Sequence, residues 1–470
     1  MNLTTEQKEV GRRNFLKAAA VLPPVAAFAA TSWSHGPVKT GIIGTGVEGR
    51  ILISQTDPKY VQIVAFSDIR WDNAELGKRA IVSRGHTADP KYHGNYIDLL
   101  EDPEIEAVMI ASPLWQHGPM AIEALKRGKH VFTEKTMAMN MEECQQMVEL
   151  AKQNGVHLQV GHQRFYNPLY WDAFRMYKEG LLGNVYNIRA GWHRNSDWDY
   201  WKLAKMFTTN AKLEDLFNRF QTQFDPKPFG YNDNQELVNW RWYSKFSRGM
   251  WTELCSHQLA ITNWFFGDGV NDAVPKFAMA TGGHYKVEAD FPPPQSRLYA
   301  KDDRDIMDHV YAIFQYDENK TVTYSAIHSN SFDNYFEEIM GTRCTVILKN
   351  ENEKYLFWEP GWDEVTAKKA ADAERAGTKV ETVKEDDHAE SASAFAAHVS
   401  GQAKGGGGAS DMNELEPYMY ELQGFSHSIR TGAPNLCDGI RAGRAAQAAF
   451  AGQDAIANGG YIEIPNKFFG

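Results

Sequence analysis

Glu253 and His257 stand four residues apart in the run Trp251-Thr252-Glu253-Leu254-Cys255-Ser256-His257. On a helix that spacing brings both side chains to one face, so both can point into one cleft. An imidazole of ordinary pKa, about 6.5, is a suitable base for a hydroxyl proton. Glu253 is placed to orient that imidazole or to bind a neighbouring hydroxyl. Lys135, in Thr133-Glu134-Lys135-Thr136, supplies a cation that would stabilise an alkoxide as it develops. Standing alone, Glu253 and His257 would read as an ordinary helix-face pair. A divalent ion is a weaker reading of Glu-x-x-x-His, because no third ligand stands at a telling spacing, and no metal is expected.

A second set of residues suits a phosphate. Gly44-x-Gly46-x-x-Gly49 follows an apolar run and opens a helical one. The first glycine permits a tight turn, the second lets a pyrophosphate approach the backbone, and the third lets helix and strand pack. The helix N-terminus then presents unpaired N–H groups to the phosphates. Asp68 ends the next apolar run, where a carboxylate binds the adenosine ribose hydroxyls and repels a 2′-phosphate, favouring NAD. Arg70 pulls the other way, since an arginine nearby can bind that phosphate, so NADP stays open.

These residues need strands and helices to position them. Lys39–Ile43, Val61–Phe66, Ala107–Ala111, His130–Thr133 and His157–Val160 read as short apolar strands. Helical patterns at Arg50–Gln55, Ala121–Arg127 and Met141–Asn154 alternate with them, which means a parallel, doubly wound sheet over residues 38–165. After about residue 165 the register changes. Val185–Trp192, Val310–Gln315, Thr321–Ile327 and Thr345–Leu348 read as strands of an open, mostly antiparallel sheet, with a helix over 250–266. Residues 364–412, rich in Ala, Lys, Glu and Gly, read as a flexible surface insertion in this second α/β domain, 166–470. Helices near Leu415–Arg430 and Gly439–Ala457 close the chain.

Composition narrows the partners. With 49 Lys and Arg against 60 Asp and Glu the net charge is −11, which argues against nucleic acid and against anionic lipid. Aromatic residues make up 12%, a load that suits either sugar faces or core packing. Cys144, Cys255, Cys344 and Cys437 form no CxxC pair and are expected as buried free thiols.

The first 30 residues read as an address. Arg12-Arg13-Asn14-Phe15-Leu16-Lys17 resembles the twin-arginine export signal, an Ala-rich apolar stretch follows, and Ala27-Phe28-Ala29 suits cleavage near Ala29/Ala30. The expectation is a periplasmic or otherwise exported protein with no membrane anchor after processing.

Together the glycine turn, Ser112-Pro113-Leu114-Trp115-Gln116-His117, Glu134-Lys135-Thr136 and Glu253-x-x-x-His257 resemble the Gfo/Idh/MocA oxidoreductases, the glucose–fructose oxidoreductase and inositol dehydrogenase family. Two positions depart from the family pattern: Thr136 replaces a proline and Glu253 an aspartate. The resemblance implies a Rossmann domain and a second α/β domain used for substrate and oligomerisation. It also implies Lys135, His257 and Glu253 as catalytic residues. Gly44, Gly46, Val47, Gly49, Asp68, Arg70, Ser112, Pro113, His117, Glu134 and His162 would hold the dinucleotide, which stays tightly bound. Arg164, Tyr166, His193, Trp240, Arg241 and Tyr243 are weaker candidates for substrate contact. The implied activity is oxidation of a secondary hydroxyl of a carbohydrate or glycoside, with C3 of a glycoside as the specific expectation, by a homo-dimer or homo-tetramer. An NAD-using glycosidase of the same superfamily and a non-catalytic dinucleotide-binding protein are the alternatives.

Overall fold

Six strands, β1 (Val38–Ile43), β2 (Val61–Ser67), β3 (Lys91–His93), β4 (Ala107–Ile110), β5 (His130–Glu134) and β6 (Leu158–Gly161), form the first sheet in the order β3-β2-β1-β4-β5-β6. The computed structural model describes residues 3–18, 36–194, 223–267, 271–284, 305–376 and 416–465. Every pairing in this sheet is parallel. Helices cover such a sheet on both faces, which is why β4 is buried at all four positions. The strand order reverses between β1 and β4, so a ligand crevice lies beyond the carboxyl ends of those strands.

The helix after the glycine turn runs from Val47 to Gln55, and the one after β4 from His117 to Lys126. Both begin before the apolar periodicity does, because the first turn needs only backbone geometry. Met141–Asn154 falls where the pattern places it, with Asn140 accepting from the Glu143 N–H and Gly155 closing it in the left-handed region. Helices Trp71–Arg84 and Pro168–Lys178 are additions to the sequence reading.

The second sheet has eight strands: β7 (Val185–His193), β8 (Phe277–Gly283), β9 (His309–Gln315), β10 (Thr321–Ile327), β11 (Tyr335–Gly341), β12 (Cys344–Lys349), β13 (Glu353–Trp358) and β14 (Tyr461–Glu463). Their order is β13-β12-β11-β7-β10-β9-β8-β14. All pairings are antiparallel except β7 with β10, which is parallel. One face packs on helices Gly249–Phe266 and Gly439–Ala457. Buried alanines line the second of these helices, and Gly452 lets it come close: a Cβ there would meet the Trp251 ring at 2.4 Å. Trp251 in turn stacks on Phe314 and donates to the Ala449 carbonyl at 2.9 Å. The other face is open, with Met279, Tyr311 and Ile313 each exposed.

Residues 364–375, expected to be flexible, are instead a helix. Asp363 caps it by accepting from the Thr366 N–H at 2.7 Å, and Ala367, Ala370 and Ala371 are buried at helical spacing. Their composition suggested a linker, whereas their period places one face against the domain. The rest of that expected insertion, up to 412, lies outside the described residues. The segment Thr5–Ala18 is helical, with Gly11 against Tyr355 and Phe357 and Leu3 buried beside Ile347 and Tyr355. The side chains of Arg12 and Arg13 and the Ala29/Ala30 cleavage position lie outside the described residues. All four cysteines are buried free thiols. Among the described residues no helix is long and apolar enough to cross a membrane.

Candidate active site

The glycine turn has the shape a pyrophosphate requires. Gly44 has φ +90°, a conformation that disfavours a side chain, and a Cβ on Gly49 would lie 2.1 Å from the Gly44 carbonyl oxygen. A Cβ on Gly46 would meet only Asn73, at 3.9 Å, so that face of the turn is open. Gly46 is the N-cap of the helix that begins at Val47 and supplies no side-chain cap, which leaves the first-turn N–H groups for a ligand. These features fit a dinucleotide at the switch point.

Asp68 sits at the end of β2. Its carboxylate accepts from the Thr45 N–H (2.8 Å), the Thr45 hydroxyl (3.2 Å) and the Arg70 N–H (2.8 Å). Burial nonetheless raises its pKa. Arg70 does not extend toward the ribose as expected. Its guanidinium is paired with Asp72, Nε to Oδ1 at 3.1 Å and Nη2 to Oδ2 at 2.5 Å.

Ser112 and Pro113 follow β4 at the crevice. His117, expected at the cofactor, is buried with its ring nitrogens facing the carbonyl oxygens of Thr136 (2.8 Å) and Ser112 (2.9 Å). It therefore ties two loops together and acts on the site by position. Thr136 explains how the lysine loop is held without a proline. Its hydroxyl donates to the Thr252 carbonyl at 3.1 Å and lies 3.4 Å from the Ser256 hydroxyl, anchoring the loop to helix Gly249–Phe266. The Lys135–Thr136 peptide is cis.

Lys135 reaches across the cleft, with Nζ donating to the Glu253 carbonyl at 3.1 Å. Burial lowers its pKa, against the pull of Glu134, Glu253 and Glu48. Glu134 is buried, with Oε1 lacking a partner, and burial together with the Glu48 charge pushes its pKa up to about 8.

Glu253 and His257 share the helix face as expected, but their roles separate. Glu253 accepts from Arg241 Nε at 2.7 Å and from the Ser247 hydroxyl at 2.5 Å, so its carboxylate does not orient the imidazole. A glutamate here reaches back to the preceding turn, Trp240–Trp242. His257 is buried with Nδ1 unpartnered, and burial, then Lys135 and Arg164, press its pKa well below the usual value. His162 meets it edge-on with ring centroids 5.8 Å apart and is itself lowered to about 3, burial first. Trp192 lies against the other side of the His257 ring at 5.3 Å.

The weaker candidates divide. Arg241 reaches the site through Glu253, and Trp240 lies under its guanidinium at 4.1 Å. Tyr243 is buried in an aromatic cluster with Tyr231, Trp242 and Phe246. Arg164 is buried and paired with both Glu337 and Glu351, so it is a core ion network and not a substrate contact. Tyr166 is enclosed in the core beside Leu436 and Cys437. His193 turns to the open face of the second sheet, bonded to the Phe332 carbonyl and the Ser325 hydroxyl. Each carries a polar group near a strand end, and only packing distinguishes those that face the cleft.

Two residues escaped the sequence reading. Glu48, inside the glycine motif, is half-buried with its Oε1 enclosed, within electrostatic reach of Lys135 and Arg241. Glu421, on helix Glu416–Thr431, is buried with neither carboxylate oxygen partnered and feels both Glu48 and Glu134. The signal for Glu48 was its place between two cradle glycines; Glu421 carried none. Among the described residues no three His, Cys, Asp or Glu side chains come together as metal ligands.

A phosphate cradle at the switch point of a parallel sheet, facing a lysine loop and a helix from a second sheet, is the architecture of two-domain dinucleotide-dependent oxidoreductases. Residues 38–162 match the oxidoreductase family's NAD-binding Rossmann fold and residues 221–464 its C-terminal alpha/beta domain, so the chain belongs to the Gfo/Idh/MocA family. It is 40% identical over 93 residues to scyllo-inositol 2-dehydrogenase (NAD(+)) of Bacillus subtilis, covering 20% of this chain and 27% of that protein. It is 28% identical over 216 residues to a glycosyl hydrolase family 109 protein of Shewanella baltica, covering 40% of this chain and 47% of that protein. The chain thus spans less than half the length of these two relatives. A levoglucosan dehydrogenase solved with NADH and levoglucosan shares the fold at a TM-score of 0.61, with 16% identity over 92% of this chain and 100% of that one.

Proposed function

We propose that this chain is an exported NAD-dependent dehydrogenase that oxidises a secondary ring hydroxyl of a carbohydrate, specifically C3 of a glycoside to a 3-keto-sugar. The observation that carries the reading is the Lys135 amino group on the Glu253 carbonyl at 3.1 Å, in the same cleft as the unpartnered His257 imidazole. Further support comes from relatives named for ring polyols and sugars, scyllo-inositol and levoglucosan.

The dinucleotide, when bound, supplies the hydride acceptor. His257 stays neutral at physiological pH because the buried cleft and Lys135 disfavour its cation, so it is ready to take the hydroxyl proton. Lys135 stabilises the charge that grows on the oxygen as the proton leaves. Glu253 fixes Arg241 against Trp240, and this pair forms a wall on which a second sugar ring can stack. Thr136 and His117 hold the lysine loop in place.

NAD is the preferred dinucleotide and stays bound between turnovers. Tyr231, Trp242 and Phe246 pack on Ile69, Trp71 and Trp115 and so cover the rim of the crevice. A second copy of the chain covers the open sheet face at Met279, Tyr311 and Ile313, giving a dimer or tetramer that size-exclusion light scattering would reveal. The leader directs export, and replacing Arg12 and Arg13 with lysine would leave uncleaved protein in the cytoplasm.

The decisive experiment incubates the purified protein with methyl glucoside or a disaccharide and a hydride acceptor, with products identified by NMR. A 3-keto-glycoside is the expected product. Oxidation of free sugars with none of blocked glycosides would instead mean oxidation at the anomeric C1 to a lactone. Cleavage of the glycoside without net reduction favours the glycosidase reading suggested by the family 109 match. Bound dinucleotide with no turnover of any sugar favours a binding protein.

A further inference from the structure

We infer that Asp72 sets the dinucleotide preference of this chain by holding the Arg70 guanidinium away from the adenosine 2′-position. The inference rests on the dinucleotide site proposed above and adds a residue to it.

Arg70 is the N-cap residue of helix Trp71–Arg84, two positions past Asp68. An arginine there is well placed to bind a 2′-phosphate, since its planar fork matches phosphate oxygens. In this chain the same fork is closed on Asp72, with both carboxylate oxygens engaged at 3.1 and 2.5 Å. The Asp72 side chain has no solvent exposure and that of Arg70 only 11%. A carboxylate in the first turn of a helix is also favoured by the helix dipole. The pair is therefore a buried, two-bond contact in a favourable field and not a loose surface pair.

The surroundings reinforce the effect. Arg50, the other cation near this turn, is committed to the Thr45 carbonyl at 2.7 Å. The Asp68 carboxylate is fixed by Thr45 and Arg70 backbone donors. Two guanidinium groups thus face two carboxylates, and each guanidinium is already bonded within the protein. A phosphate arriving at the ribose meets the Asp68 charge with no released cation to offset it. Asp72 makes no contact with the dinucleotide in this account; it acts through Arg70.

The test measures affinity for NADH and NADPH by nicotinamide fluorescence, and for 2′,5′-ADP and 5′-AMP by calorimetry, none of which requires turnover. In Asp72→Asn, NADPH and 2′,5′-ADP should bind at least tenfold more tightly, with NADH and 5′-AMP within about threefold of wild type, an effect of the size expected for one charge-assisted contact. The double variant Asp72→Asn with Arg70→Met should lose that gain. A gain that persists in the double variant, or no gain in Asp72→Asn, overturns the inference. If Asp72→Asn does not fold, Arg70→Met in the otherwise unchanged chain decides. It should leave NADPH affinity unchanged, and a tenfold loss would show that Arg70 already binds the phosphate, overturning the inference. Wild-type protein that binds neither dinucleotide overturns the proposed site itself, and the inference with it.

Discussion

Replacing Lys135 with methionine separates chemistry from binding at this site. Methionine keeps the length of the chain and removes the charge. The ammonium makes one bond in the cleft, to the Glu253 carbonyl at 3.1 Å, and burial already disfavours its charged form. Losing that hydrogen bond costs about 1 kcal/mol of stability, partly offset because a buried cation no longer has to be desolvated. The variant should therefore fold, with an unfolding free energy within about 1 kcal/mol of the parent. Catalysis should suffer far more. One electrostatic group aimed at a developing oxyanion is worth about 10²–10³ in rate, or about 2.7–4 kcal/mol. Dinucleotide binding should be retained, because the Gly44–Gly49 turn and Asp68 hold the far end of the ligand. The assay follows nicotinamide absorbance in single turnover, with NADH affinity measured separately by fluorescence. Near-native turnover would refute the assignment of Lys135. Equal loss of binding and turnover would place the lysine in ligand binding.

Three further outcomes are expected. Because the His257 pKa is pressed well below its ordinary value, the acid limb of kcat/KM should lie well below the ordinary histidine range, and His257→Ala should abolish that limb with partial recovery of rate at high pH; a wild-type limb at or above the ordinary histidine value would contradict this. Thr136→Val removes the bond to the Thr252 carbonyl, so urea unfolding should show a loss of about 1 kcal/mol, with kcat reduced and NADH affinity unchanged; unaltered kcat would show that the loop is held elsewhere. His86 and His162 are buried bases lowered to about 4 and about 3, burial first. Both states are neutral above about pH 6.5, and below it the unfolded chain takes up protons first, so stability should fall by about 1.4 kcal/mol per pH unit for each histidine until the folded pKa is reached. A flat unfolding free energy between pH 6.5 and 4.5, or an unchanged slope in His86→Asn, would contradict it.

Much of this protein was legible before any coordinates. Strands β1, β2, β4, β5 and β6 are short apolar runs between turn signals, and in a parallel sheet both faces are buried, so hydrophobicity alone marks them. Gly44, Gly46 and Gly49 declare themselves by their spacing: a tight turn and a close helix contact exclude a Cβ at Gly44 and Gly49, and Gly46 leaves an open face for phosphate. Lys135 and His257 were nameable because their neighbours carry a recognisable pattern. Tertiary structure decided the rest. That Glu253 serves Arg241 and not His257, that Arg70 is closed on Asp72, and that Arg164 lies in a core ion network depend on which way long side chains turn. A polar residue near a strand end has the same sequence signature whether it lines a cleft or anchors a core. The helix Glu364–Arg375 looked like a linker because its buried face is alanine, and burial of so small a side chain shows only when a partner surface is present. Local spacing determines which residues can share a face; only the packing of distant segments determines what that face meets.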